Sequence, residues 1–348
     1  MGTRPPDVTS STLLVALFVC CGPVSTESEG TYEALDPCPV PRPGVLVGGL
    51  IGSGDDALVT PTRVLVLMGG GGEDDLASRR FVESAGGGDI VILRASGSLT
   101  SYPSYFTATL APQPVPETVV TLLTVIPQEG ADPAVLCWVN RAEAVWLAGG
   151  DQWDYLGLWP PELHTGLSKV SERGGAVGGT SAGAVALGSA TFDAQFGTVT
   201  SETALENPLA AIVSISYPSF AQPELSGVLV DSHFRQRSRE GRMLAFLARF
   251  MWERDRSSVV GIGLDEGVAV ILENDSLEVF TQGQDSAWFY ELSSPVSLTP
   301  GSALNLPHLR RIKLGAGNRV SWPLDFDSLD AEQMHVDDGV VRLGPPEE

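Results

Sequence analysis

The sequence predicts an α/β fold built around a doubly wound, mostly parallel sheet. Continuous apolar runs of strand length alternate with polar stretches that are compatible with helices. Parallel strands that are buried on both faces are continuously apolar, and their alternation with helices is typical of doubly wound sheets. Several of the runs end in glycines, which permit the tight turns that follow strands in such folds.

The predicted strands begin with residues 64–68, which are followed by the glycines Gly69 to Gly72. The later apolar runs lie at residues 89–93, 118–125, 144–148 and 227–231. We expect a helix over residues 235–252, because its apolar side chains recur at helical spacing. Residues 259–292 are expected to form β-hairpins in the C-terminal part, since short β-type segments are broken there by polar turns.

The N-terminal residues have the pattern of an export signal. Arg4 precedes an apolar run at 13–21, which is shorter than the ~20 residues of a membrane-spanning helix. We therefore expect an exported protein that is extracellular, periplasmic or lipid-anchored to the cell envelope. Cys20 and Cys21 leave lipid anchoring and plain cleavage both open, and the pairing of Cys38 with Cys137 is open as well.

The chain is accordingly divided into four predicted segments. These are a signal peptide or lipoprotein signal over 1–24, a linker over 25–43, a catalytic domain over 44–325 and an acidic C-terminal tail over 326–348. Acidic residues outnumber basic ones by 43 to 21, so the formal net charge is −22. Proteins that bind nucleic acids need a basic surface, and this charge argues against that class.

The clearest chemical motif is the pentapeptide Gly-Thr-Ser-Ala-Gly centred on Ser181. It follows a strand of small residues and precedes a helix-forming stretch, which is the pattern of a nucleophile elbow. Such a turn exposes the serine hydroxyl and directs backbone N–H groups, such as that of Ala182, towards a developing oxyanion. Gly70 and Gly71 lack the spacing of a dinucleotide or P-loop motif, and we expect them to supply further oxyanion donors.

A serine nucleophile needs a base, and a base needs a carboxylate that orients it. Among His164, His233, His308 and His335, His233 is favoured because it directly follows a predicted strand. Asp265 and Glu266 follow another apolar run. Adjacent residues of an extended segment point in opposite directions, so one of the two is expected to face the site.

An arginine cluster follows His233 directly. Arg235, Arg237, Arg239 and Arg242 lie within eight residues of a strongly acidic chain. Guanidinium groups bind carboxylates through paired hydrogen bonds, so the cluster predicts a site for a substrate carboxylate. A solvated helix face that pairs with neighbouring acids is the alternative.

Taken together, these motifs resemble those of the cyanophycinases, whose peptidase family also includes the aspartyl dipeptidase peptidase E. The matching segments occur in the family's order over residues 45–325. They are Gly69 to Gly71, Gly149-Gly150-Asp151-Gln152, Gly179 to Ala184, Asp231 to Phe234 with the arginines, and Gly261 to Glu266. The resemblance implies a class I glutamine-amidotransferase-like (flavodoxin-like) fold, a homodimer, and no metal or cofactor.

The resemblance also implies the roles of individual residues. It implies a triad of Ser181, His233 and Glu266. It implies a substrate pocket formed by Gln152, Asp231, Arg237, Arg239 and Arg242. The implied reaction is hydrolysis of cyanophycin, a poly-aspartate that bears arginine side chains, to β-Asp-Arg dipeptides through an acyl-enzyme.

Two departures from the family pattern concern the substrate. Ser232 stands where the family has a glutamine, and the segment 153–159 is aromatic and carries no basic residue. A related peptidase that cuts other aspartyl or isoaspartyl bonds is therefore an alternative. An α/β-hydrolase esterase would place its histidine last, at His308 or His335. A non-catalytic, surface-anchored binding protein on the same scaffold is the remaining alternative.

Overall fold

The computed structural model describes residues 1–2 and 37–346. Apart from residues 1–2, the predicted signal over 1–24 lies outside the described residues, as does most of the predicted linker over 25–43. From Val45 onwards the chain forms strands and helices that alternate through the first half, so the predicted α/β class is confirmed.

In chain order, the strands are β1 (Val45–Gly52), β2 (Leu65–Met68), β3 (Asp89–Arg94), β4 (Thr118–Thr124), β5 (Ala144–Leu147), β6 (Ala176–Thr180), β7 (Thr191–Phe192), β8 (Ile215–Ser216), β9 (Val228–Asp231), β10 (Val259–Leu264), β11 (Val268–Glu273), β12 (Ser276–Thr281), β13 (Ala287–Leu292), β14 (Leu306–Leu314), β15 (Arg319–Ser321), β16 (Glu332–Asp337) and β17 (Val340–Leu343). The α-helices are α1 (Asp75–Ser84), α2 (Ser101–Ser104), α3 (Pro133–Arg141), α4 (Pro161–Glu172), α5 (Ala182–Val185), α6 (Ser201–Glu206) and α7 (Glu240–Glu253).

The larger sheet has the strand order β1-β4-β3-β5-β6-β2-β11-β12-β15. Neighbouring strands from β4 to β2 run parallel, whereas β1, β11, β12 and β15 are antiparallel to their neighbours. In this order β2, the first of the parallel strands in the chain, lies beside β6, the last. The loop that follows β2 is therefore adjacent to the turn that follows β6.

Both faces of this sheet are covered, and β2 shows how its sequence achieves this. Leu65 and Leu67 pack on one face, in a cluster that includes residues of α3 and α4. Val66 and Met68 pack on the other face, in a cluster that includes residues of α1. Successive side chains of a strand point to opposite faces, so a strand covered on both sides has to be apolar at every position.

A second sheet has the order β17-β16-β14-β13-β10-β9 and packs with α7 around a separate apolar cluster. Its first two strands in the chain, β9 and β10, run parallel, so they end at the same edge of the sheet. Helix α7 begins at Glu240 and not at residue 235 as predicted. The preceding residues form a turn instead, in which the Arg239 N–H donates to Phe234 O at 2.9 Å.

The predicted acidic tail over 326–348 contains two strands. Strand β16 pairs with β14 and β17 pairs with β16, both antiparallel, within the second sheet. Met334 and Val336 on β16 are buried in the apolar cluster beneath that sheet. These apolar residues alternate with polar ones, and burial of that apolar face outweighs the acidic character of the segment.

Cys38 and Cys137 form a disulfide that links the segment before β1 to α3. The two cysteines are 99 residues apart in sequence. Closing a loop of that length stabilises a fold by about 3–5 kcal/mol, mainly by restricting the unfolded chain. Over the described residues, no helix is both long and apolar enough to cross a bilayer.

Candidate active site

Ser181 occupies a tight turn between β6 and α5. Its backbone has φ 52° and ψ −121°, a conformation that non-glycine residues rarely adopt. The Ser181 N–H donates to Met68 O at 2.9 Å, which ties the turn to the end of β2. A Cβ at Gly183 would lie 2.1 Å from Leu147 O, and one at Gly179 would lie 2.6 Å from the Gly183 carbonyl carbon. The glycines of the motif are therefore required by close backbone contacts.

His233 follows β9 and faces this turn. Its Nε2 lies 2.8 Å from Ser181 Oγ, and its Nδ1 lies 2.6 Å from Glu266 Oε1. The His233 backbone has φ 47°, and its N–H donates to Gly69 O at 2.9 Å. The structure thus brings together Ser181, His233 and Glu266 from the ends of β6, β9 and β10. A carboxylate on Nδ1 favours the tautomer in which Nε2 is free to accept a proton.

Asp265 and Glu266 contact different groups, although Glu266 lies in a turn after β10 and not on extended backbone. The Asp265 carboxylate is fully buried and accepts from Arg235 Nε at 2.6 Å and from Trp288 Nε1 at 3.2 Å. Glu266 contacts His233, and its N–H donates to Gln236 Oε1 at 3.0 Å. Gln236 was not predicted as part of the site. The only sequence signal for it is its position within the arginine cluster.

The pKa of His233 is lowered from its ordinary value, mainly because the imidazole is buried. The hydrogen bond that His233 Nδ1 donates to Glu266 opposes this effect, whereas the charges of Arg237 and Arg239 add to it. A lowered pKa keeps the imidazole neutral at neutral pH, and a neutral imidazole can accept a proton from a hydroxyl. This electrostatic environment suits a general base.

The glycine loop after β2 packs directly against all three side chains. A Cβ at Gly70, where φ is +84°, would lie 2.6 Å from His233 Nε2 and 3.0 Å from Ser181 Cβ. A Cβ at Gly71, where φ is +77°, would lie 2.7 Å from Glu266 Cβ. Within the described chain, neither glycine N–H has a hydrogen-bond acceptor. Ala182 is the first residue of α5, where N–H groups have no intrahelical acceptor. Among the described residues, these N–H groups are therefore unpaired donors in the segments that adjoin Ser181 and His233.

Arg242 and Asp231 were expected to bind substrate, but the structure pairs them with each other. Both side chains are 3% exposed. Arg242 donates from Nε and Nη2 to the two Asp231 oxygens at 2.8 and 2.6 Å, and from Nη1 to Val199 O at 3.3 Å. Each guanidinium nitrogen already has an acceptor, so this pair is a buried connection between β9 and α7.

Arg239 and Arg237 differ from Arg242 in their surroundings. Arg239 shares Asp231 through Nη1 at 3.2 Å, and burial lowers its pKa to about 10. The Arg237 side chain is exposed and, within the described part of the chain, has no hydrogen bond or ion pair. Both arginines line a cavity of about 510 Å³ whose other walls include residues 198–202. Of the predicted carboxylate-binding residues, Arg237 is the most available.

The Gly149–Gln152 loop passes close to the serine. A Cβ at Gly149 would lie 3.4 Å from Ser181 Cβ. Gln152 is half-buried, and its Nε2 donates to Phe192 O at 3.2 Å. The loop therefore forms a wall of the site, and the amide of Gln152 is held by the β7 backbone.

The other histidines do not contact Ser181. His164 Nε2 lies 2.8 Å from Tyr155 O, His335 Nδ1 lies 2.9 Å from Gly344 O, and His308 is exposed on β14. This geometry argues against the esterase alternative, which requires His308 or His335 as the base.

Nowhere in the described chain do three or more His, Cys, Asp or Glu side chains cluster to hold a metal ion.

Sequence comparison finds similarity to curated cyanophycinases. The cyanophycinase of Geminocystis herdmanii is 28% identical over 201 residues, which cover 56% of this chain and 67% of the relative. The cyanophycinase of Trichormus variabilis is 30% identical over 148 residues, which cover 42% of this chain and 44% of the relative. The chain is similar in sequence to the cyanophycinases. This finding confirms the resemblance seen in the motifs, although the chain spans less than half of the second cyanophycinase.

The remaining comparisons are more distant. No family model matches the chain. Among solved structures, a peptidase from an acI-B1 Actinobacterium superposes with a TM-score of 0.47 at 16% identity, covering 76% of this chain and 98% of that one. A putative peptidase E from Listeria monocytogenes superposes with a TM-score of 0.40 at 14% identity, covering 64% of this chain and 99% of that one.

Proposed function

We propose that the protein is a serine peptidase of cyanophycinase type, which hydrolyses cyanophycin to β-Asp-Arg dipeptides. The observation that carries the proposal is the continuous hydrogen-bonded relay from Ser181 Oγ through the His233 imidazole to Glu266, with its distances of 2.8 and 2.6 Å. The proposal includes the class I glutamine-amidotransferase-like version of the α/β fold, supported by the nucleophile turn at the end of a central parallel strand. It also includes a homodimer.

In the proposed reaction, His233 Nε2 takes the Ser181 hydroxyl proton as Oγ attacks the carbonyl carbon of the scissile bond. The carbonyl oxygen becomes an oxyanion, which the N–H groups of Gly70, Gly71 and Ala182 stabilise. Collapse of this intermediate breaks the C–N bond, and His233 protonates the departing amine. Water then attacks the Ser181 ester with His233 again as the base. Cleavage of the ester bond releases the acid product and restores the serine hydroxyl.

A related aspartyl or isoaspartyl peptidase is the second candidate. It is favoured by Ser232, which replaces the glutamine of the family pattern with a shorter side chain and is itself buried. This shorter side chain changes which groups flank the scissile bond. It does not alter the hydrogen bonds among Ser181, His233 and Glu266. The two candidates therefore share one mechanism and differ in substrate.

We also propose that the protein is exported. The proposed segments are a signal over 1–24, a linker over 25–43 and a catalytic domain that starts near residue 44. Two observations support export: the apolar run at 13–21, and the disulfide between Cys38 and Cys137. Disulfides persist in oxidising compartments and are rare in the cytosol. Fractionation of cells that express the full chain tests this proposal and separates lipid-anchored from free protein.

The decisive experiment compares wild type and Ser181→Ala on purified cyanophycin and on a panel of Asp-X and β-Asp-X dipeptides. We expect wild type to release β-Asp-Arg and Ser181→Ala to lose about 10⁴- to 10⁶-fold in rate with an unchanged circular dichroism spectrum. The matched control is His308→Ala, which removes an exposed histidine outside the site and is expected to keep full activity. Activity of Ser181→Ala within tenfold of wild type would contradict the mechanism. Cleavage of the dipeptides but not of cyanophycin would favour the second candidate.

A further inference from the structure

The cavity beside His233 contains two opposite charges that do not pair. It has a volume of about 510 Å³ and is lined on one side by the turn that carries Arg237 and Arg239. Its other wall is the start of α6, where Glu202 lies. The Arg237 N–H donates to His233 O at 3.1 Å, so the turn that lines the cavity is joined to the backbone of the proposed base.

Helix α6 is firmly attached to this turn. Ser201 Oγ donates to Ser238 O at 2.5 Å and accepts from the Arg242 N–H at 3.1 Å. A Cβ at Gly241 would lie 2.9 Å from Ser201 Cβ, so α6 and the start of α7 are in close contact. These contacts fix the backbone that carries Glu202 relative to the backbone that carries Arg237.

The charges on the two walls are available to a ligand. Glu202 and Arg237 are both exposed, and in the described part of the chain neither takes part in a side-chain hydrogen bond or an ion pair. They are also not within ion-pair distance of each other. The neighbouring arginines differ, because Arg235, Arg239 and Arg242 are each paired with an aspartate. A ligand with one carboxylate and one cationic group would complement both free charges at once.

We infer that Glu202 determines specificity by binding the guanidinium of the substrate's arginine side chain, while Arg237 binds a substrate carboxylate. This inference rests on the proposed function and names the residue that would distinguish arginine-bearing substrates from neutral ones. A carboxylate accepts two parallel hydrogen bonds from a guanidinium, and a neutral urea group of the same shape lacks the charge that strengthens them. Charged pairs of this kind mainly give specificity.

The test measures kcat/KM on a short cyanophycin oligomer of β-Asp-Arg units and on its citrulline isostere, in which urea groups replace the guanidinium groups. We expect wild type to prefer the arginine substrate by about 5- to 30-fold. Glu202→Gln should lose that preference by slowing on the arginine substrate alone. The matched control is Glu206→Gln, on the same helix and also exposed but outside the cavity lining, which should keep the preference.

A preference that survives in Glu202→Gln, or a loss on both substrates alike, would overturn the inference. If wild type cleaves neither oligomer, the proposed function fails. Glu202 is then tested by calorimetric binding of the two oligomers to wild type and Glu202→Gln. Tighter binding of the arginine oligomer that depends on Glu202 would support the inference, and equal binding would overturn it.

Discussion

The imidazole of His233 lies between a carboxylate and two guanidinium groups, which act on its pKa in opposite directions. Burial is the largest effect, and it lowers the pKa of His233. The hydrogen bond that His233 donates to Glu266 raises this pKa, whereas the charges of Arg237 and Arg239 lower it further. The same arginine that is available to a substrate carboxylate thus also influences the base. Under the proposed function, binding of a substrate carboxylate to Arg237 would therefore also affect proton transfer at His233.

Removing Arg237 should raise the pKa of His233, because a positive charge that disfavours the imidazolium is lost. In Arg237→Ala the acid limb of the kcat/KM profile should therefore move to higher pH by roughly 0.3–1 unit, and less at high salt. The measurement is kcat/KM from pH 4 to 9 at two ionic strengths. Arg319→Ala, on the edge strand β15, is the charge-matched control and should leave the profile unchanged. A shift to lower pH, or no shift, would contradict the assignment.

At the scale of elements, the site is formed by loops that follow the ends of neighbouring strands. The loop after β2 is the closest of these to the reacting atoms, because Gly70 contacts both His233 and Ser181. Ser181 and His233 are themselves held at positive φ, a conformation that costs energy and is maintained by the surrounding structure. Precise placement of these residues therefore depends on the backbone of the loops.

Gly70→Ala should abolish activity by displacing the imidazole, since its Cβ would lie 2.6 Å from His233 Nε2. A displacement of about 1 Å costs on the order of 100-fold in rate. Gly72→Ala is the matched control, since Gly72 is in the same loop at positive φ but has no atom within 4 Å of an added Cβ. Both variants should lose similar stability in urea, and only Gly70→Ala should lose about 100-fold or more in kcat/KM. Equal losses of activity would mean that loop strain, and not contact with His233, is responsible.

At the scale of the whole molecule, a pair of buried carboxylates lies at the end of the parallel sheet opposite to Ser181. Asp89 is the first residue of β3, and its N–H donates to Glu143 Oε2 at 2.7 Å just before β5. Asp89 Oδ1 is buried and has no partner in the described residues. Burial is the main cause that raises the pKa of Asp89 to about 6 and that of Glu143 to about 7.

These raised values predict that stability falls as pH rises. The unfolded carboxyls titrate near ~4, so between about pH 4 and 7 the folded state binds more protons than the unfolded state. The two carboxyls therefore contribute to the free energy of unfolding below about pH 4, and this contribution is lost above about pH 7. In Glu143→Gln the free energy of unfolding at pH 8 relative to pH 5 should improve by on the order of 2–3 kcal/mol over wild type. Urea unfolding at both pH values measures this, with the exposed Glu162→Gln as control. A pH dependence identical to that of wild type would refute the prediction.

The central part of the fold and the relay could be predicted from the sequence, because both are encoded in short segments. A strand that is buried on both faces is mainly apolar along its whole length. The apolar runs at 64–68, 89–93, 118–125 and 144–148 therefore predict the central strands of the sheet. The turn at Ser181 requires small residues on both sides, and the motif carries them. The residues alone leave Asp265 and Glu266 open as the carboxylate beside His233, and the resemblance to the cyanophycinases implied Glu266.

Tertiary structure alone decided which charges are free. The sequence does not distinguish Arg237, Arg239 and Arg242 from one another. In the structure, Asp231 forms ion pairs with Arg242 and Arg239. Arg237 has no ion pair in the described residues and is available to a ligand. Helix α6 brings Glu202 to the same cavity, and antiparallel pairing makes strands of the acidic C-terminal segment. The physical reason is that a local pattern reports the burial and conformation of its own residues. Whether a charge is neutralised, or a polar strand is paired, depends on partners that only the folded chain brings into contact.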